Sequence, residues 1–112
     1  MKIHVKTDTL GVRWIELAGD LDFHTSPQVR QELGKITEGE VRKLLIDLKK
    51  VGYIDSSGLA TFVELFQKIK KGGGKLILFN LSQAVRSVFE IAKLDSIFQL
   101  ARDQQEALTL AA

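Results

Sequence analysis

The sequence predicts an α/β domain in which a mixed, mostly parallel β-sheet carries packed α-helices. Three observations predict it. Short strand-like apolar runs alternate with stretches of helical periodicity. The connections between them are short and rich in Gly, Asp and Ser. One run, Leu44-Leu45-Ile46, is continuously apolar, as expected of a strand covered on both faces. Repeated strand-helix-strand units with short loops imply right-handed crossovers, and so neighbouring parallel strands with helices laid over them. A chain of 112 residues with 45% apolar residues can bury one core, so a single domain over residues 1–112 is expected.

Taken in order, Ile3 and Val5 alternate with polar neighbours, and Val12 to Leu17 follow the turn at Gly11, which predicts a hairpin of two strands with Ile15 and Leu17 facing inward. The loop Gly19-Asp20-Leu21-Asp22 leads to Thr25-Ser26-Pro27, where a hydroxyl cap before a proline announces a helix striped by Val29, Leu33 and Ile36. A central strand is expected over Val41 to Leu48. A second helix is expected over Ser56 to Lys70, with Leu59, Phe62, Val63, Phe66 and Ile69 on its buried side and a stop at Gly72-Gly73-Gly74. Leu76 to Phe79 then form a strand, and Ser82 caps a helix with Val85, Val88, Phe89 and Ala92 on one face. Ile97 to Leu100 add an edge strand, and Asp103 caps a last helix through Leu108.

Composition narrows the function classes. There are no cysteines, which excludes disulfides, zinc-thiolate sites and thiol nucleophiles. No apolar run is long enough to cross a bilayer and the first residues do not form a signal peptide, so a soluble cytoplasmic protein without membrane contact is expected. The net charge of +2 is small. Its densest basic stretch, Lys68, Lys70, Lys71 and Lys75, lacks interleaved aromatics and suits the negative end of a helix dipole better than nucleic acid.

Few residues could carry chemistry. His4 and His24 have no companions at metal-ligand or catalytic spacing, and no cofactor or metal is implied. Ser56 lacks the flanking glycines of a nucleophile elbow, and Gly72-Gly73-Gly74-Lys75 precedes a strand instead of a helix, unlike a phosphate loop. The run Asp47 to Leu59 is different: it leaves a central strand, crosses a loop and enters an amphipathic helix with a serine at its mouth, a favoured functional position in open α/β sheets. From spacing alone, Asp55, Ser56 and Ser57 can equally be no more than a helix cap, with Gly58 allowing close packing.

These residues carry a family resemblance. Asp55-Ser56-Ser57-Gly58-Leu59, preceded by Val51-Gly52-Tyr53-Ile54, resembles the signature of STAS-domain anti-sigma factor antagonists. Gly19-Asp20-Leu21-Asp22 with Thr25 looks like the family's Gly-Glu-Leu-Asp loop, and Val85 through Phe89 to Leu94 and Ile97-Phe98 resembles its C-terminal segment, so nearly the whole chain is covered. Ala60 and Lys93 stand where many members have glycine, and Asp20 where glutamate is commoner.

The resemblance implies a non-enzymatic partner switch. Its partners would be an anti-sigma factor that is also a serine kinase, which phosphorylates Ser56, and a metal-dependent serine phosphatase that reverses the step. The unphosphorylated form would capture the anti-sigma factor and free sigma, with catalysis left to the partners and no direct contact with nucleic acid. A STAS-like scaffold, or a subunit of a lipid-transport complex, is the alternative; a small hydrolase using Ser56 lacks a base and an oxyanion site. Helical periodicity adds an expected binding face, in which Ser57, Ala60, Thr61 and Glu64 project opposite the buried stripe, beside Asp55, Ser56 and Gly58. Asp22 and Thr25 are expected near it across adjacent strand ends, with Asp22 either orienting Ser56 or contacting the kinase, or else capping its own loop.

Overall fold

The computed structural model describes residues 1–39 and 41–112. Its strands are β1 (Lys2–Thr7), β2 (Arg13–Ala18), β3 (Lys43–Lys50), β4 (Lys75–Phe79) and β5 (Gln99–Ala101), and its helices α1 (Ser26–Ile36), α2 (Ser56–Lys71), α3 (Gln83–Ile91) and α4 (Gln104–Ala111). The strands form one sheet in the order β1-β2-β3-β4-β5. The β1–β2 pair is antiparallel, with Ile3 opposite Leu17 and Val5 opposite Ile15, and all later pairs are parallel.

Because each parallel strand is added on the same side of its predecessor, right-handed crossovers put α1, α2 and α3 on one face of the sheet. Val29 and Leu33 of α1, Phe62 and Leu65 of α2, and Val85 and Phe89 of α3 accordingly share one core with Ile15, Leu17, Leu44, Ile46, Leu48 and Leu78. The alternate residues Leu45, Ile77 and Phe79 point to the other face, where Ala107 and Ala111 of α4 and the half-buried Trp14 cover them. The continuous apolar run in β3 thus has the two-sided burial its composition demands.

Three expectations need correction. Thr25 does not cap α1 with its hydroxyl: its backbone is already helical (φ −94°, ψ −23°) and the side chain turns back to the Asp20 carbonyl at 2.7 Å. Ala92 and Ile97 are exposed, the first because the helix ends there, the second because β5 starts only at Gln99. Most important, the buried face of α2 comprises Gly58, Leu59, Thr61, Phe62, Leu65 and Ile69, while Val63 and Phe66 are half-buried. The helix packs on the sheet and against α1 at once, so its buried stripe is wider than a one-sided amphipathic pattern predicts and is rotated to take in Thr61.

Candidate functional site

Two loops meet at the C-terminal ends of β2 and β3. A register shift between Glu16 and Ala18, followed by Gly19 at φ +123°, a conformation that favours glycine, swings the chain after β2 onto the loop after β3. Leu21 and Ile54 there form a parallel bridge, fixed by hydrogen bonds from the Leu21 amide to the Tyr53 carbonyl (2.9 Å) and from the Asp55 amide to the Leu21 carbonyl (3.1 Å). Both apolar side chains are buried. The loops therefore behave as an extension of the sheet.

Asp55 caps α2. Its extended backbone (φ −113°, ψ −171°) lets the carboxylate accept hydrogen bonds from the amides of Ser57 (2.9 Å) and Gly58 (3.2 Å) and from the Ser57 hydroxyl (2.6 Å). The Ser57 hydroxyl, ahead of the backbone amides of Gly58, Ser57 and Phe23, holds the Asp55 carboxyl below its ordinary range. The Phe23 amide belongs to the other loop, so both loops favour the ionised form of Asp55.

Tandem serines meet opposite environments. Ser57 is half-buried, and its hydroxyl lies 3.2 Å from that of Ser26, which is 2% exposed and donates to the Asp22 carbonyl at 2.6 Å. Each hydroxyl has one proton; with these directed to Asp55 and to the Asp22 carbonyl, the two oxygens can only sit side by side. Ser56 is exposed at the first position of α2, and its hydroxyl has no hydrogen-bond partner among the described residues. The amides of Ser57 and Gly58 at the start of the helix are already taken by Asp55.

Gly58 is where α2 crosses the bridge. A Cβ there would lie 2.7 Å from Ile54 Cγ1, 2.8 Å from the Leu21 carbonyl oxygen and 2.9 Å from Leu21 Cγ, so only glycine lets the helix start this close to the loops. Asp22 is occupied with its own turn: its carboxylate accepts from the amides of His24 (2.9 Å) and Thr25 (3.1 Å), while its amide donates to the Thr25 hydroxyl (3.0 Å). The pair stiffens the entry to α1, the capping role weighed for Asp22.

Of the expected binding face, the structure keeps Ser56, Ala60 and Glu64, exposed at four-residue spacing along α2. It turns the others inward. Thr61 is 2% exposed and donates to the Ser57 carbonyl at 3.0 Å, Gly58 is buried under the bridge, and Ser57 and Thr25 are held in internal hydrogen bonds. Sequence reasoning missed Phe23 and Tyr53, which are 66% and 53% exposed on the two bridged loops. Periodicity has no purchase on loop residues; the only available signal was aromatic residues beside the Asp-Ser-Ser-Gly segment.

No helix among the described residues is long and apolar enough to cross a membrane, and no group of three or more His, Cys, Asp or Glu residues there could hold a metal ion.

The chain is 38% identical over 87 residues to the anti-sigma-B factor antagonist of Bacillus subtilis, covering 78% of this chain and 79% of that one. Its match to the anti-sigma-B factor antagonist of Listeria monocytogenes is 37% over 94 residues, with 82% and 81% covered. The crystal structure of an anti-sigma factor antagonist from Mycobacterium paratuberculosis superposes with a TM-score of 0.89 at 26% identity, over 98% of this chain and 92% of that one. The model of the STAS domain matches residues 4–107, which span every strand but the first residues of β1 and all of α1 to α3, and the chain belongs to the STAS domain family.

Proposed function

We propose that this protein is an anti-sigma factor antagonist that works as a binding switch in the cytoplasm, with Ser56 as its phosphoacceptor. The unphosphorylated form captures an anti-sigma factor that is also a serine kinase and so releases sigma; the kinase phosphorylates Ser56 and frees itself, and a metal-dependent phosphatase restores the antagonist. The relatives at 37 and 38% identity are anti-sigma-B factor antagonists by name, which supports the partner. The observation that carries the choice of residue is the contrast between the tandem serines: a kinase can reach the unengaged hydroxyl of Ser56, whereas that of Ser57 is bonded to Asp55 at 2.6 Å.

The same geometry supplies the switch. A phosphoryl group adds about −1.5 to −2 charges. It would stand next to a carboxylate that its hydrogen bonds keep ionised, at the positive end of the α2 dipole. The helix keeps its Asp55 cap and the fold is unchanged. What changes is the surface, where an exposed strip of short side chains becomes bulky and strongly anionic, so a partner resting on it is displaced without an alteration of fold.

The test is incubation with ATP and each candidate anti-sigma kinase from the same cell, followed by tandem mass spectrometry. Phosphate on Ser56, with loss of kinase binding on modification, is the expected result. Phosphate confined to Ser57, or no transfer by any of them, would overturn the assignment.

A further inference from the structure

The strip that remains on α2 is too small to be a whole interface. A stable protein contact covers about 800 Å² on each partner, and Ser56, Ala60 and Glu64 alone offer short side chains plus one carboxylate. Contact must spread in one of two directions from Ser56. Along the helix it meets charge: Glu64 is tied to Arg30 at 2.8 Å, and Gln67, Lys68 and Lys71 follow, all exposed. Toward the loops it meets Phe23, Tyr53 and His24, the last stacked on Phe23 with ring centroids 4.0 Å apart.

Single exposed apolar residues are ordinary. These two are not scattered. Phe23 follows Leu21 by two residues and Tyr53 precedes Ile54 by one, so the two come from the two strands of one bridge, Phe23 just before α1 and Tyr53 just before the helix that carries Ser56. Their loops are held together: the Tyr53 carbonyl accepts from the Leu21 amide and the Leu21 carbonyl accepts from the Asp55 amide. Aromatic side chains on a fixed backbone lose little freedom on binding and dominate interface energetics.

Resting on the reading above, we infer that Phe23 and Tyr53 are the anchors by which the anti-sigma kinase is held, each entering an apolar pocket on that partner, with Ser56 at the junction between this aromatic anchor and the α2 strip. Recognition is thereby divided. The aromatics supply affinity and the serine supplies its control. Because the Leu21–Ile54 bridge and the bond from the Asp55 amide to the Leu21 carbonyl join both loops beside Ser56, the anchor is presented in fixed register with the residue that is modified.

The test uses the full chain and the purified kinase identified by phosphate transfer to Ser56, loaded with a non-hydrolysable ATP analogue so that no modification occurs during titration. Calorimetry on wild type, Phe23→Ala, Tyr53→Ala and Ser56→Asp, with melting curves for all four, separates the claims. Expected is a loss of about tenfold or more for either aromatic variant, with melting temperatures close to wild type because both side chains are mostly exposed. A loss of less than about fivefold in both, with wild type binding and Ser56→Asp not, overturns the anchor and leaves the switch standing. Equal binding of wild type and Ser56→Asp overturns the switch on which it rests.

Discussion

The Ser57 hydroxyl donates to the Asp55 carboxylate at 2.6 Å, and that one bond organises the helix mouth. It removes Ser57 from the surface, holds Asp55 over the amides of α2, and leaves Ser56 as the one serine of the pair with an unengaged hydroxyl. It also has a consequence for acid stability.

Asp55 titrates below its ordinary range in the folded protein, first through the Ser57 hydroxyl. A carboxylate whose folded pKa lies below its unfolded pKa contributes stability that is present above the unfolded value, near 3.9, and lost as pH falls through the folded one. The melting temperature of the wild type should therefore fall on acidification below about pH 4. Asp8, held low first by the Trp14 indole N–H, and Glu16, by Lys50, act in the same direction. Asp55→Asn keeps an acceptor for the helix amides but has no proton to take up, so its melting curve should fall less steeply over that range. Identical slopes for wild type and variant would show that Asp55 is not so coupled.

Gly58→Ala tests the close approach of α2 to the bridge. The added methyl would stand 2.7 to 2.9 Å from Ile54 and from the Leu21 backbone and side chain, and the Leu21 carbonyl cannot move without breaking its bond to the Asp55 amide. Alanine is the better helix former, but overpacking a buried site costs roughly 1–3 kcal/mol, more than the ~1 kcal/mol of propensity gained. Chemical denaturation should show net destabilisation. A neutral or stabilised variant would mean that the loops yield easily.

How far the sequence disclosed this architecture varies with the physics of each element. β3 and α2 were legible because each buries a long periodic or continuous apolar segment, and Ser82 and Asp103 were legible as caps because a short acceptor before an apolar helix has few other uses; at α2 three short polar residues in a row, Asp55, Ser56 and Ser57, left the cap open until the structure gave it to Asp55. The orientation of α2 was not. A periodicity argument assumes one buried side, whereas contact with both the sheet and α1 buries Thr61, whose hydroxyl is satisfied within the helix by the Ser57 carbonyl. The bridge of Leu21 to Ile54 joins residues 33 apart in sequence and rests on a one-residue register shift, which no local pattern encodes.

Lys93 shows a departure from the family pattern acquiring a structural meaning. The end of α3 closes with bonds from the Leu94 amide to the Phe89 carbonyl (2.8 Å) and from the Lys93 amide to the Glu90 carbonyl (3.0 Å), a pattern that places Lys93 in the left-handed region at φ +60°. At the end of α2 the equivalent place is held by Gly73 at φ +81°. A side chain there is strained by about 1 kcal/mol or somewhat more. Lys93→Gly should stabilise the protein by roughly 0.5–1 kcal/mol, a rise in melting temperature of about 2–8 °C. A fall in stability would show that the lysine side chain contributes more than its backbone costs.

Ala60 lies one turn beyond Ser56 on the same exposed face, where its methyl group allows another protein's backbone to come close. Ala60→Arg places a long cation on that strip. Being exposed and helical, the position should tolerate the change within about 0.5 kcal/mol of folding stability, so the melting curve serves as a control. If the anti-sigma factor covers this part of α2, arginine must either clash or lie across the contact, and binding should weaken by about 2–4 kcal/mol, the cost typical of a disrupted central position. Glu64→Ala, one turn further along, is the graded comparison: its carboxylate is engaged with Arg30 in an exposed ion pair, and such pairs contribute little, about 0–1 kcal/mol. The expected order of effects on affinity is therefore Ala60→Arg well above Glu64→Ala, measured by calorimetric titration against the same kinase. Wild-type affinity in a folded Ala60→Arg protein would place the contact entirely on the loop side of Ser56, with the partner never descending onto the helix.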